Sequence, residues 1–113
     1  MPFIDCKISR KLTEEEKELL KTELGKAVSI LRKSEGYLMV GIDDGYDLYM
    51  AGSKLTHGAY VSVSLFGSAA SNAFEKMTAA VCDILENNLA IPASSVYVTY
   101  HPVDDWGWNG ENF

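Results

Sequence analysis

Ile4, Cys6 and Ile8 alternate with Phe3, Asp5, Lys7 and Ser9, and this period of two predicts a strand over residues 3–9 with one strongly apolar face. A helix is predicted over 13–33. Thr13 followed three residues later by Glu16 fits a capping box, and Glu14, Glu15 and Glu16 place negative charge where the helix dipole favours it. Leu20, Leu24, Ala27, Val28 and Leu31 form one apolar stripe, Arg32 and Lys33 suit the C-terminal end, and Gly36 suits termination. The nearly continuous apolar run over 37–42 reads as a buried strand. After a turn at Asp43-Asp44-Gly45, Asp47 to Met50 reads as a short hairpin arm.

A second strong strand is expected over 59–66, where Val61, Val63 and Leu65 alternate with Ser62 and Ser64. Phe74, Met77, Val81, Ile84 and Leu85 give the helical spacing of a segment over 71–89, which Pro92 keeps from continuing. The last main strand is predicted over 96–100, with Pro102 as its stop, and Trp106-Gly107-Trp108-Asn109-Gly110 reads as an aromatic arm turning at Asn109-Gly110. The two halves therefore repeat one β-α-β plan. Right-handed crossovers put both helices on one face of a four-stranded mixed sheet, an α/β two-layer sandwich. The other face is left open, and on the expectation that it is apolar it needs a partner, most simply further copies of the chain.

A length of 113 residues fits a single domain, 1–113. With 10 Lys and Arg against 16 Asp and Glu the net charge is −6, the wrong sign for a nucleic-acid partner. Cys6 and Cys82 are too few for a disulfide framework or a zinc site. No secretory leader or membrane-length apolar run is visible, so a cytoplasmic protein is expected, with leaderless export left open.

Few residues announce chemistry. His57 and His101 have no metal-ligand spacing, and the Asp104-Asp105 pair reads as a solvated loop. Gly67-Ser68 sits at a strand-to-helix turn of the kind that holds anions, though such turns are common. Pro2 is the unusual feature: an initiator Met is generally removed before Pro, leaving a secondary amine fixed at the start of a core strand. The alternative is that Pro2 is merely a tolerated first strand residue.

Three segments together resemble the macrophage migration inhibitory factor branch of the tautomerase superfamily: Met1-Pro2-Phe3-Ile4, the strand Ser94 to Tyr100, and the ending Trp106-Gly107-Trp108-Asn109-Gly110-Glu111-Asn112-Phe113. The resemblance spans essentially the whole chain. It implies a homotrimer whose three sheets close into a barrel, and keto–enol tautomerisation of aryl 2-oxo acids such as phenylpyruvate, without a cofactor or metal. A rival implication is a cytokine-like signalling or binding protein with a vestigial pocket and a protein receptor.

Carried over residue by residue, the resemblance makes Pro2 the catalytic base and Lys33 the anchor of the substrate carboxylate, helped by the backbone N–H of Phe66, whose side chain is then incidental. Tyr97 matches a pocket tyrosine supplied by the neighbouring subunit. Thr99 stands where better-known relatives carry Asn, and is shorter. Trp106, in place of an aliphatic residue, joins Trp108 and Phe113 as an aromatic wall for a flat ring, or these rings simply anchor the C-terminus. A Cys-x-x-Cys found in some relatives is missing from 55–59, so their thiol–disulfide activity is not carried over.

Overall fold

The computed structural model describes all residues 1–113. Its first strand, β1 (Pro2–Ile8), follows the predicted alternation, one residue earlier than expected at each end: Pro2, Ile4, Cys6 and Ile8 are buried and the residues between them are not. Helix α1 (Glu14–Ala27) starts at the predicted capping box, in which Thr13 Oγ1 accepts from the Glu16 amide at 3.1 Å while the Thr13 amide donates to the Glu16 carboxylate at 3.0 Å. β2 (Met39–Asp43) follows, then a hairpin of β3 (Tyr49–Met50) and β4 (Ser53–Lys54), where the arm at 47–50 was expected. β5 (Ala59–Phe66) and α2 (Ser71–Leu89) have the predicted bounds. β6 (Val96–Val103) and a tail hairpin of β7 (Gly107–Trp108) and β8 (Glu111–Asn112) complete the chain.

The main sheet has the order β2-β1-β5-β6. β1 runs parallel to β2 and antiparallel to β5, and β5 runs parallel to β6, so each half is a β-α-β unit and the halves join through β1 and β5. Ile4, Cys6, Ile8, Val61 and Val63 meet Leu20, Leu24, Leu31, Met77, Val81 and Leu85 from the helices in one core. Full burial of each large aliphatic side chain there is worth about 1.5–3 kcal/mol.

Four expectations need correction. The first helix does not run to residue 33: it stops at Ala27, tightens into a 3₁₀ turn over Val28–Leu31, and ends where Arg32 adopts a left-handed conformation with φ 57°. Spacing of three places Val28 and Leu31 on the core in either helix type, so the apolar stripe conceals the change. The run over 37–42 is not a buried strand. A 3₁₀ turn occupies Glu35–Tyr37, and β2 is an edge strand that packs Val40 and Ile42 against the core while Met39 stays 68% exposed. The last main strand does not end at Tyr100: β6 runs through Pro102 to Val103, because it is an edge strand, which tolerates a residue without an N–H, and not a central one.

The fourth correction concerns the open face, which is mixed rather than uniformly apolar: Phe3, Met39, Phe66, Tyr97 and Val103 lie on it, but its middle is polar. Asp5, Lys7, Ser62, Ser64, Thr99 and His101 project there, with Tyr60 and Phe3 between them. Lys7 lies 3.5 Å from Asp5 and 3.9 Å from Asp43, and the Thr99 hydroxyl bonds Tyr60 at 2.7 Å and His101 at 2.9 Å. The two unpaired edges, β2 and β6, therefore add to the demand for a partner made by the apolar residues of this face. No helix is long and apolar enough to cross a membrane.

Candidate active site

The pairing of β1 with β5 sets Pro2 opposite Leu65, at the end of the ladder where β5 turns into the Gly67-Ser68 loop. Pro2 is buried, and it lines an open cleft of about 760 Å³. Tyr37, Met39, Ser64, Trp106 and Trp108 line it as well. Of the residues singled out from sequence, Pro2, Trp106 and Trp108 thus come together directly.

The aromatic wall is built from the tail. Asn109 and Gly110, with φ of 53° and 83°, make the tight turn that folds β8 back on β7. The Phe113 amide donates to the Trp106 carbonyl at 3.0 Å. Trp108 and Phe113 then stack at 6.0 Å, Tyr37 meets Trp108 edge-on at 5.9 Å, and Phe113 reaches Phe66 at 5.9 Å. The Phe66 ring, expected to be incidental, therefore holds the tail against the sheet. Tyr37 was not anticipated. Its only signal in the sequence was an aromatic residue beside Gly36 at the start of an apolar run, which reads equally well as strand.

Lys33 approaches the same corner from the helix layer, its ammonium donating to the Phe66 carbonyl at 2.9 Å. The left-handed turn at Arg32 redirects the chain so that Lys33 leaves the helix axis and reaches β5. On the other side of the Phe66 peptide, its N–H donates to the Met1 carbonyl at 3.1 Å. The amine of Met1 is held below the usual range of a terminal amine, by burial first and then by repulsion from the Lys33 charge. The charged form of an amine is thus disfavoured at this end of β1. No cluster of His, Cys, Asp or Glu forms a metal site there or elsewhere.

Tyr97 and Thr99 are not part of this corner. Pro102 stands level with Leu65 and so with Pro2, which puts Tyr97 five residues back along β6, about 17 Å at about 3.3 Å per residue. Tyr97 is 66% exposed, beside Tyr49 and Met50 of the small hairpin, and Thr99 is engaged with Tyr60 and His101 on the open face. Cys6 lies beneath the sheet, where burial and the neighbouring Asp5 push its thiol up to about 12, so it stays protonated and inert.

The sequence model of the family described as macrophage migration inhibitory factor matches residues 1–113. A protein from Leishmania major, titled MIF2, superposes with a TM-score of 0.93 at 30% identity, covering 100% of this chain and 97% of its own. A macrophage migration inhibitory factor homologue from Prochlorococcus marinus gives 0.86 at 29% identity, with 98% of each chain covered. A fused 4-OT protein described as a symmetric trimer shares the fold at 0.86 and 19% identity, covering 97% of this chain and 94% of its own. Among curated proteins, none matches this chain.

Removal of Met1 deprives the Phe66 amide of its acceptor. Hydrogen exchange at Phe66 should then speed up by about tenfold or more relative to the interior of β5, as at a frayed strand end. An unchanged rate in the Met1-free chain would show that this amide is held by something other than Met1.

Proposed function

The chain belongs to the macrophage migration inhibitory factor family, and from that premise we propose that it is a keto–enol tautomerase of phenylpyruvate-like aryl 2-oxo acids, with Pro2 as base. The observation that carries this reading is the convergence at one strand end of a buried proline, an aromatic cleft, the Lys33 ammonium and the Phe66 amide.

With Met1 removed, the Pro2 nitrogen becomes a secondary amine at the site whose electrostatics already disfavour an ammonium. Burial and the Lys33 charge lower its pKa toward neutrality, which a base working near pH 7 requires. The substrate carboxylate takes the Phe66 N–H vacated by the Met1 carbonyl and pairs with Lys33, which fixes the adjacent ketone and the carbon beyond it over Pro2. The proline nitrogen removes a proton from that carbon, the electron pair moves to form the enol double bond, and the same proton is returned to the carbonyl oxygen. One positioned amine serves both steps, and nothing is oxidised or reduced. Trp106 and Trp108 flank the aryl ring, with Phe113 bracing Trp108.

The reading extends to a homotrimer. Its support is the pair of unpaired edges on this chain and the symmetric trimer described for the fused 4-OT relative. Tyr97 lies too far from Pro2 to serve its own site, and an exposed tyrosine at the opposite end of the sheet suits a neighbour's cleft. Thr99 is assigned no contact with substrate in this arrangement, since its hydroxyl is already shared between Tyr60 and His101.

Phenylpyruvate tautomerisation by the Met1-free chain, followed by absorbance of the enol, tests the reading. Pro2→Gly should lower kcat/KM by roughly 10²–10⁴-fold, the range for loss of a positioned base. Full activity in a mass-verified chain that retains Met1 would remove Pro2 from the mechanism.

Lys33→Ala makes two separate demands. It should impair the free acid far more than its methyl ester. It should also move the rising limb of the kcat/KM profile to higher pH, because loss of a nearby cation raises the pKa of the amine and the neutral base then appears later. Equal losses for acid and ester with an unmoved profile would contradict the assignment of Lys33.

A further inference from the structure

Six of the ten Lys and Arg residues lie within 4.0 Å of a carboxylate: Lys7, Arg10, Lys17, Lys21, Lys26 and Lys54. In a chain with 16 acidic residues an unpaired cation needs a reason. Of the other four, Lys11 lies elsewhere, while Arg32, Lys33 and Lys76 all line one cavity of about 270 Å³ between the 3₁₀ turn that follows α1 and the first turns of α2. Ser68 and Asn72 supply its polar groups, and no carboxylate lines it. Held together, three positive charges repel one another, so the arrangement is stabilised by a multivalent anion.

Arg32 adds an independent point. Its φ of 57° lies in the left-handed region, which Ala51, Ala90 and Asn109 also adopt and which favours glycine over a residue with a Cβ. The chain nevertheless carries a guanidinium at this position, on the wall of the cavity. A guanidinium matches phosphate oxygens two at a time, and lysine adds a point charge.

We propose that the cavity walled by Arg32, Lys33 and Lys76 is a binding site for a phosphate group, distinct from the cleft at Pro2. Phosphate fits the volume and the donor set: three cations and the Asn72 amide. Ala69 and Ala73 leave room beside it for a small apolar substituent, so the group is either the free ion or a phosphate monoester. Lys33 is common to both sites, since its ammonium also reaches the Phe66 carbonyl. Phosphate held there draws on the charge that the substrate carboxylate uses, so occupancy raises KM for a 2-oxo acid and leaves kcat unchanged. That competition rests on the tautomerase reading; the binding itself does not.

The test is titration of the Met1-free chain with inorganic phosphate and, separately, methyl phosphate, at constant ionic strength set with chloride, read by amide chemical shifts of residues 68–73. Saturable shifts are expected. Arg32→Gly and Lys76→Ala should each weaken binding by about tenfold or more, as loss of one charge-assisted contact does. Arg32→Gly should do so with a Tm that is unchanged or raised, because it relieves the left-handed backbone; a merely structural arginine would lower Tm and leave phosphate affinity alone. Tighter binding of methyl phosphate identifies a monoester as the ligand, and tighter binding of inorganic phosphate identifies the free ion. Absence of saturation, or equal affinity in wild type and both variants, would overturn the proposal whether or not the protein turns over phenylpyruvate.

Discussion

Seven paired positions between β1 and β5 join the two halves of this protein, and the rest of the structure depends on that antiparallel ladder. It makes one sheet from two β-α-β units, so that both helices fall on one side and share a core. Its alternation is strict: Ile4 with Val63 and Cys6 with Val61 on the helix side, Asp5 with Ser62 and Lys7 with Tyr60 on the other. A slip of one residue would bury Asp5 and Lys7 and expose the aliphatic row, so the register is strongly specified. The same register carries Pro2 to the end of β5, where the Phe66 peptide and Lys33 are within reach.

The ladder also separates functions along the sheet. At one end lie Pro2, the aromatic tail and the end of the first helical segment; at the other lie the small hairpin, Tyr49 and Tyr97. Exposed aromatic residues at both ends and unpaired edges on both sides suit head-to-tail association, in which one copy's Tyr97 end meets the Pro2 end of the next. The polar middle of the open face fits this arrangement, since its side chains already satisfy one another and do not require a dry interface.

Regular amphipathic segments were the most legible in the sequence. β5 shows its alternation from Ala59 to Phe66, and Met77, Val81 and Leu85 give α2 one buried stripe. The end of α1 was hidden because Val28 and Leu31 satisfy helical and 3₁₀ spacing alike, and nothing about Arg32 announces a left-handed backbone. β2 was mistaken for a buried strand because hydrophobicity does not reveal sheet order, which comes from long-range pairing. The polar middle of the open face is visible in Asp5, Lys7, Ser62 and Ser64, while Phe3, Met39, Phe66 and Tyr97 give the same face its apolar share. Of the residues that the resemblance singles out, Pro2, Trp106 and Trp108 line the cleft, whereas Tyr37, which also lines it, lies in a turn that periodicity does not place.

The central claim is that a working site takes Pro2 from one copy and Tyr97 from its neighbour. Subunit mixing tests it directly: Pro2→Gly and Tyr97→Ala chains, each poorly active alone, are co-refolded in equal amounts and exchange is verified by native mass spectrometry. Random assembly leaves both residues intact in about a quarter of the sites, so about a quarter of wild-type activity should return. Activity no higher than the mean of the two parents, despite verified exchange, would contradict a site shared between subunits.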